Sequence, residues 1–393
     1  MKWERKSISD ICTLITSGGT PLTSMTSFYE PKEIPWLKTS EVNYCRIFDT
    51  ENYISKEGLA RSSAKMIPAN SVIVAMYGQG DTAGRVAINK IPLSTNQACC
   101  NLIIDDNVAD YNFVYYSLCT LYDYLVSQKT GGAQPNLNAK KIKQLQIPLP
   151  PLTTQRRIAS ILSAYDDLIE NNRRQIKLLE EAAQRLYKEW FVDFRFPGHE
   201  NVRIVDGVPE GWEYRKLGEV ANITMGQSPK SEFYNKKKEG LPFHQGVGSY
   251  GERFVKDEIY SSSYNRIATN ESILFSVRAP VGRLNITKNK IAIGRGLSAI
   301  NHKKLLQSFL FYSLKYKFFK DNLIGNGAIF SSITKEDLAS QDIIIPNKDI
   351  DCKYNTIIQI SDLKIKNLDE QVLKLTEARD RLLPKLMSGE IEV

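Results

Sequence analysis

The 393-residue chain lacks any apolar run of the roughly 18 residues that a membrane-spanning helix needs, so we expect no membrane segment. Its first ten residues, MKWERKSISD, are charged and are unlike a secretory signal peptide. The six cysteines lie at irregular spacings, which favours free thiols in a reducing cytoplasm over a disulfide framework. The three histidines are far apart and no His/Cys cluster has zinc-ligand spacing, so we expect no metal site.

Motifs of common catalytic sites are also missing. The chain has no G-x-x-x-x-G-K-[ST] loop, G-x-S-x-G elbow or H-E-x-x-H pair, and no Asn/Asp-Pro-Pro-aromatic tetrapeptide of amino-methyltransferases. The hexapeptide GQGDTA (78–83) fits the loose dinucleotide fingerprint G-x-G-x-x-A, but that fingerprint requires a helix to follow. A strand-like segment (85–90) follows instead, which favours a simple turn. The sequence therefore predicts a recognition component with no catalytic residue and no cofactor of its own.

The composition is that of an ordinary globular protein, with 42% hydrophobic and 24% charged residues. The length allows two domains of roughly 150 residues each. The net charge of +8 is compatible with binding a polyanion but does not establish it.

The second half of the chain repeats the first, in the same order, at a period of about 200 residues. The matched segments include WE (3–4) and WE (212–213), GGTP (18–21) and GQSP (226–229), IPW (34–36) and LPF (241–243), GRV (84–86) and GRL (282–284), and YYSL (115–118) and FYSL (311–314). Internal duplication of this extent predicts two similar domains.

Each copy starts with a block that reads as mixed α/β. The apolar runs at 71–76 and 272–277 predict buried strands, and the alternating segments at 85–90 and 283–288 predict half-buried strands. The segments 111–127 and 306–322, rich in Tyr, Phe and Leu, predict one helix per block.

Each copy ends in a charge-dense segment, 153–191 or 353–387, whose apolar residues follow the three-four spacing of a coiled-coil seam. Each helix must carry the chain between the blocks, so the pair should be antiparallel. Asn172 and Arg379 fall on the seam, where they would either fix the register or be solvated. Pro384 should end or kink the second helix. The predicted fold class is α+β: two similar mixed α/β domains joined by two long antiparallel coiled-coil helices, with a pseudo-twofold internal repeat.

Two related domains (the two heads of the chain) at a fixed separation could bind duplex DNA, which offers equivalent grooves about 34 Å apart. Base edges are read best by Arg or Lys on guanine and by Asn or Gln on adenine. The loops of the blocks carry such residues, and the DNA-binding candidates are Lys38, Gln79, Arg85, Asn96, Gln97, Gln134, Asn136, Gln245, Arg278, Arg283 and Arg295. Arg85 and Arg283 occupy matching positions, which favours a structural or phosphate-binding role for both.

The segment from Ile147 to Ile169, with the motifs IPLPPL (147–152), QRRIA (155–159) and DDLI (166–169), resembles the central spacer of type I restriction–modification specificity subunits. So do WFVDF (190–194), APVG (279–282), GRG (294–296) and the ending LPKLMSGEI (383–391). The resemblance covers the whole chain. The second spacer departs from the pattern, because NKDI (347–350) replaces the proline-leucine opening and Gln-Arg-Arg is missing.

The resemblance implies target recognition domains at 1–150 and 199–347, a central spacer helix at 151–198 and a C-terminal spacer helix at 348–393. It implies that each domain reads one half of a split double-stranded DNA target and that the helices set the gap. It also implies docking of two modification subunits, which are methyltransferases using S-adenosylmethionine, and of two restriction subunits that use ATP and Mg. The docking candidates are Arg156, Arg157, Trp190 and Phe191, although the aromatic pair could instead join block to helix.

Two other interpretations remain open at this stage. The chain could serve a fused, type II-like or orphan system, which neighbouring genes would decide. It could also be a coiled-coil adaptor whose blocks bind protein, in which case binding should be insensitive to salt and duplex DNA should not bind. The target sequence does not follow from the residues.

Overall fold

The computed structural model describes residues 3–129, 136–304, 306–318 and 332–393. The chain divides into two compact units. The first unit combines Met1–Asn172 with Gln371–Val393, and the second unit is Arg173–Glu370. Each unit therefore contains one globular block together with part of each long helix.

The block of the first unit contains a five-stranded sheet, a four-stranded sheet and a strand pair. The strand orders are β2-β10-β7-β8-β4, β5-β3-β9-β6 and β1-β11. The strands are β1 Arg5–Ser7, β2 Cys12–Ser17, β3 Ile34–Leu37, β4 Cys45–Ile47, β5 Tyr53–Ile54, β6 Met66–Ile67, β7 Val72–Ala75, β8 Val86–Asn89, β9 Leu93–Thr95, β10 Cys99–Ile104 and β11 Gln146–Pro148. The helices are α1 Lys56–Ala60, α2 Tyr111–Thr120, α3 Tyr122–Ser127 and α4 Ala139–Lys143.

The block of the second unit contains a four-stranded sheet, a five-stranded sheet and two strand pairs. Its sheets have the orders β15-β23-β20-β21, β16-β18-β17-β22-β19, β14-β24 and β12-β13. The strands are β12 Ile204–Val205, β13 Val208–Pro209, β14 Glu213–Lys216, β15 Ala221–Met225, β16 Tyr234–Asn235, β17 Leu241–His244, β18 Tyr260–Ser261, β19 Ile267–Ala268, β20 Ile273–Ser276, β21 Leu284–Ile286, β22 Ile291–Ile293, β23 Leu297–His302 and β24 Asp342–Ile345. The helices are α6 Leu217–Val220, α7 Gln307–Phe318 and α8 Lys335–Ala339.

The alternating segment at 85–90 forms the expected strand β8, but the prediction that it is half buried is wrong. All four residues of β8 are buried, because both faces of the sheet are covered: Val86 and Ile88 belong to one apolar cluster and Ala87 belongs to another. The polar Asn89 is tolerated there because its amide donates to the carbonyls of Pro68 and Ile91, at 2.7 and 2.8 Å. The alternating pattern therefore predicted the position of the strand correctly, but it wrongly predicted that one face of the strand is exposed to solvent.

The single helix expected at 111–127 is interrupted. Asp110 caps α2 by accepting from the amides of Asn112 and Phe113, both at 3.0 Å. The helix ends at Thr120, and α3 starts after Leu121. In the second block α7 ends at Phe318, and the remaining part of the expected segment, 319–322, lies outside the described residues.

Both long helices are present. Helix α5 spans Leu152–Phe191, as the apolar spacing predicts. Helix α9 spans Lys348–Ser388 and begins earlier than residue 353, because the Asn347 side chain accepts from the amide of Ile350 at 3.0 Å and caps the first turn. An asparagine cap thus replaces the proline opening of the first spacer. No helix in the described ranges is long and apolar enough to cross a membrane.

Polar contacts join the two long helices inside the first unit. Asn172, which is 6% exposed, donates to the side-chain oxygen of Gln371 at 3.1 Å. Arg379 donates to Asp166 at 2.7 Å. Later residues of α5 therefore meet earlier residues of α9 in this unit, and both polar seam residues contact the other helix.

Candidate nucleic-acid interface

The first block places several candidates where two parallel strands end together. Strands β3 and β9 are parallel, with Trp36 opposite Ser94 and Leu37 opposite Thr95. The amide of Asn96 donates to the carbonyl of Leu37 at 2.9 Å and continues the pairing beyond the strands. Lys38, Asn96 and Gln97 therefore lie at one edge of this sheet.

A glycine-containing loop packs against that edge. The amide of Gly19 donates to the carbonyl of Thr95 at 2.9 Å. A Cβ atom on Gly18 would lie 2.1 Å from the same oxygen, so only glycine fits this approach. The hydroxyl of Thr20 donates to the side-chain oxygen of Gln97. We call residues 18–21, 38 and 96–97 the first cradle.

The second block builds the same arrangement from the matched segments. Strands β17 and β22 are parallel, and the amide of Gly294 donates to the carbonyl of His244 at 2.8 Å. The amide of Gln227 donates to the carbonyl of Ile293 at 2.9 Å. A Cβ atom on Gly226 would lie 2.1 Å from the carbonyl oxygen of Gly294. We call residues 226–229, 245 and 294–295 the second cradle.

The side chains of the two cradles correspond by position. Gln245 follows β17 as Lys38 follows β3, and Arg295 follows β22 as Gln97 follows β9. The Ser228 hydroxyl accepts from the amide of Arg295 at 3.2 Å, where Thr20 contacts Gln97 in the first block. Gln245 and Arg295 line one open depression of about 550 Å³.

The loop after β7 reaches the edge of the first cradle. The amide of Met76 donates to the carbonyl of Ala98 at 2.8 Å, and its carbonyl accepts from the amide of Leu137 at 2.9 Å. These bonds place Met76 and Leu137 beside Ala98, which follows the first cradle, with Asn136 next to Leu137 and Gln79 in the turn after Met76. Gln134 lies outside the described residues. The segment 78–84 forms a turn between β7 and β8, and no helix follows it, so the dinucleotide alternative fails.

The corresponding loop of the second block carries Arg278. The amide of Val277 donates to the carbonyl of Gly296 at 2.9 Å, and Arg278 forms a β-bridge with Ser332. Arg278 thus lies beside the second cradle, and its side chain is exposed.

The matching arginines Arg85 and Arg283 are held by their own blocks. Arg85 donates to Asp81 at 2.6 Å and to the side-chain oxygen of Asn43 at 2.9 Å. The hydrogen bond from Arg85 lowers the pKa of Asp81, so the pair remains ionised. The amide of Arg283 donates to the hydroxyl of Ser276 at 2.8 Å, and its side chain is partly buried.

Exposure separates the candidates into two groups. The exposed ones are Gln79, Gln97, Gln245, Arg278 and Arg295, and the partly buried ones are Lys38, Arg85, Asn96, Asn136 and Arg283. The Nζ atom of Lys38 donates to the side-chain oxygen of Asn52 at 3.0 Å and lies 5.3 Å from the ring centre of Trp36. Only exposed, uncommitted side chains can reach a groove without first breaking internal contacts.

His244 holds the loop beside Gln245 in place. Its two ring nitrogens lie 2.8 Å from the hydroxyl of Ser249 and 2.9 Å from the carboxylate of Asp257. The order of these three groups is that of a nucleophile, a base and a carboxylate, but the imidazole has no exposed surface. A substrate could not reach it, so the arrangement acts as a brace for the loop.

The docking candidates fall into two kinds. Arg156 and Arg157 are exposed on α5. Trp190 and Phe191 are 7% and 3% exposed. The ring of Phe191 lies 4.8 Å from that of Tyr354 and 5.6 Å from that of Trp212, so the pair joins helix to block. We remove both aromatics from the docking candidates, because side chains covered by their own chain offer a partner little area.

Two contributors to the cradles were not among the sequence candidates. Thr20 and Ser228 orient the side chain and the backbone of the residues opposite them. The signal was present in the repeat, because both belong to the matched Gly-x-Ser/Thr-Pro tetrapeptides. Within the four described ranges, no three His, Cys, Asp or Glu side chains gather as metal ligands would.

The geometry defines a class of protein: a two-block chain that presents polar side chains on equivalent strand-end loops. The profile of the type I restriction modification DNA specificity domain matches residues 1–181 and 209–375. The chain belongs to this family. The match covers both repeats.

Similar proteins agree with this assignment. The chain is 29% identical to the type I restriction enzyme MjaIX specificity subunit of Methanocaldococcus jannaschii, over 100% of this chain and 94% of that one. It is 30% identical, with the same coverage, to the putative MjaX specificity subunit of the same organism. The crystal structure of the type I S subunit from M. genitalium has the same fold, with a TM-score of 0.62 at 17% identity over 98% of this chain and 96% of that one.

Proposed function

We propose that the chain is the DNA-reading subunit of a type I restriction–modification complex. The observation that carries this proposal is the family match to both repeats, together with a cradle of equivalent construction in each. Each target recognition domain, 1–150 or 199–347, reads one half of a split duplex target. The chain itself supplies recognition and no catalysis.

The helical segments set the distance between the half-targets. We propose that the spacers, 151–198 and 348–393, form an antiparallel coiled coil related by a pseudo-twofold repeat. The contacts of Asn172 with Gln371 and of Asp166 with Arg379 support this arrangement inside the first unit. Paired helices are stiff, so the number of unread base pairs should be constant.

The partners of the complex follow from the family. Two modification subunits, using S-adenosylmethionine, and two restriction subunits, using ATP and Mg, join the chain in the cytoplasm. The exposed Arg156 and Arg157 on α5 are suited to bind acidic groups of a modification subunit. Gln155 beside them is buried and serves the fold instead.

The decisive experiment combines this chain with its cognate modification subunit and maps methylated adenines across a genome by single-molecule sequencing. We expect a split motif with one constant gap. Methylation without a split motif would contradict two-headed reading. An intact complex that methylates nothing would favour the orphan or adaptor alternatives.

Binding measurements on the same complex provide an independent check. Phosphate contacts release counterions, so the affinity for duplex DNA should fall steeply as salt rises. If Arg278 contacts a base, Arg278→Ala should weaken the binding free energy for the target DNA by about 1–3 kcal/mol. It should also relax the base preference in the half-target of the second domain alone. Uniform weakening on all sequences would instead assign Arg278 to phosphate.

A further inference from the structure

The cations of the two cradles differ in how strongly they are engaged by the protein. In the first cradle, Lys38 is hydrogen-bonded to Asn52 and lies over Trp36. Nearby Arg85 is paired with Asp81 at 2.6 Å. These positive groups would have to leave existing partners before they could bind a base.

Arg295 in the second cradle and Arg278 beside it are held differently. Arg278 and Arg295 are exposed, and within residues 136–304 and the other described ranges neither guanidinium has an ion pair or a side-chain hydrogen bond. Backbone contacts fix the main-chain positions of both arginines. The backbone N–H of Arg295 donates to the hydroxyl of Ser228, and Arg278 forms a β-bridge with Ser332. Two anchored backbones thus present two uncommitted guanidinium groups.

The exposed side chains in and beside the first cradle are amides. Gln79 and Gln97 are both exposed. The Gln97 oxygen accepts from Thr20, which orients the amide and leaves its NH₂ group available to donate. The first cradle therefore presents glutamine, and the second presents arginine with Gln245 beside it.

We infer that the two heads read different bases through equivalent backbone positions. The second domain reads guanine through Arg295 and Arg278, and the first domain reads adenine through Gln97 and Gln79. The physical reason is that a guanidinium matches the O6 and N7 acceptors of guanine, whereas an amide matches the donor and acceptor of adenine. This inference rests on the proposed function and adds the chemical class of each half-target.

The test compares variants in the complex with the cognate modification subunits. Each complex selects from a duplex library with randomised half-targets, and its genomic methylation is mapped. The variants are Arg295→Gln, Gln97→Ala and, as the control, Arg203→Gln, which removes an exposed arginine outside the cradles. Thermal melting establishes that each variant is folded.

In the wild type we expect one half-target to contain guanine at the position that Arg295→Gln alters. Discrimination for that guanine should fall about 5- to 150-fold, with the other half-target unchanged. Gln97→Ala should weaken the preference for adenine at one position of the other half-target only. Arg203→Gln should leave both half-targets as they are.

Uniform weakening by Arg295→Gln on every duplex would overturn the inference, because it would place the guanidinium on phosphate. The same result with a split motif still present would leave the proposed function intact. Absence of a split motif in the wild type would instead contradict the proposed function. If Arg295→Gln fails to fold, Gln245→Glu replaces it, and a shift towards cytosine at one position of the same half-target supports base reading by this cradle. No shift overturns it.

Discussion

Arg379 near the end of the chain donates a hydrogen bond of 2.7 Å to the carboxylate of Asp166, which lies 213 positions earlier. The other oxygen of Asp166 accepts from the hydroxyl of Tyr116 at 2.5 Å. Burial and the neighbouring carboxylate raise the pKa of Tyr116 above its usual range, so its phenol remains a donor. One carboxylate thus connects α9, α5 and α2 within the first unit.

Replacing Arg379 by leucine should therefore destabilise the first unit. Asp166 is 8% exposed and would lose its ion pair, keeping the hydrogen bond from the neutral hydroxyl of Tyr116. The expected loss in the free energy of unfolding is about 1.5–3 kcal/mol, measured by urea denaturation. The matched control is Arg381→Leu, because Arg381 is exposed and lies 3.9 Å from Glu377. A loss of the same size in the control would contradict a specific role for Asp166.

The second unit contains a more deeply buried charge cluster around Arg253. Its guanidinium lies 3.2 Å from Glu180 and 2.7 Å from Asp362, and packs 3.9 Å from the ring centre of Phe311. Arg253→Met should lower the free energy of unfolding by about 3–5 kcal/mol, because Asp362 would lose its cation and Glu180 would keep only Lys315. Hydrogen exchange should show the change in the second unit.

The control for Arg253 lies close by. Arg173 is 3.6 Å from Glu252, and both side chains are more than half exposed. Arg173→Met should alter stability by less than about 0.5 kcal/mol. If Arg253→Met lowers the free energy of unfolding by no more than Arg173→Met does, the buried ion pairs of Arg253 contribute little to stability.

The QRR motif at 155–157 should separate into a structural and a surface part. Gln155 donates to the carbonyl of Pro150 at 2.8 Å and accepts from the amide of Asp110 at 3.0 Å. Gln155→Ala should lower the free energy of unfolding by about 1–3 kcal/mol, because buried backbone groups would lose their hydrogen-bond partners. Arg156→Ala and Arg157→Ala should leave the melting temperature unchanged while weakening binding of the modification subunit. A stable Gln155→Ala variant would refute this division.

The stability of the second unit should depend on pH through His302. Burial, followed by the nearby Lys304, lowers the pKa of His302 to about 4 from its ordinary value of 6.5. The unfolded chain takes up a proton near pH 6.5 and the folded chain does not, so the stabilisation is complete above pH 6.5 and is lost as pH falls towards 4. The difference in unfolding free energy between wild type and His302→Gln should shrink over this window. A constant difference would contradict the depressed pKa.

The sequence predicted the apolar strands and α5 because these depend on local hydrophobic periodicity, and it predicted the repeat because matched motifs recur in the same order. It could not predict that β8 is buried on both faces, since that depends on apolar residues from distant parts of the chain, such as Phe113 on one face and Leu37 on the other. The break between α2 and α3 at Leu121 likewise has no glycine or proline to mark it.

The candidate site shows the same division between local and distant information. Residue type alone selected Arg85 together with Arg295, although Asp81 engages only the former. Aromatic character suggested a docking role for Trp190 and Phe191, whose partners Trp212 and Tyr354 are distant in sequence. Contacts made across long sequence separations decide which polar groups are available, and no motif encodes them.

The first unit is assembled from both ends of the chain, whereas the second is one continuous segment. Leu386 and Met387 are buried in the same apolar cluster as Ile8 and Ile158. During synthesis on the ribosome, all of 173–370 is available for folding before these last residues emerge. The block translated first is therefore completed only after 371–393 has been made, and loss of that segment would damage the amino-terminal block.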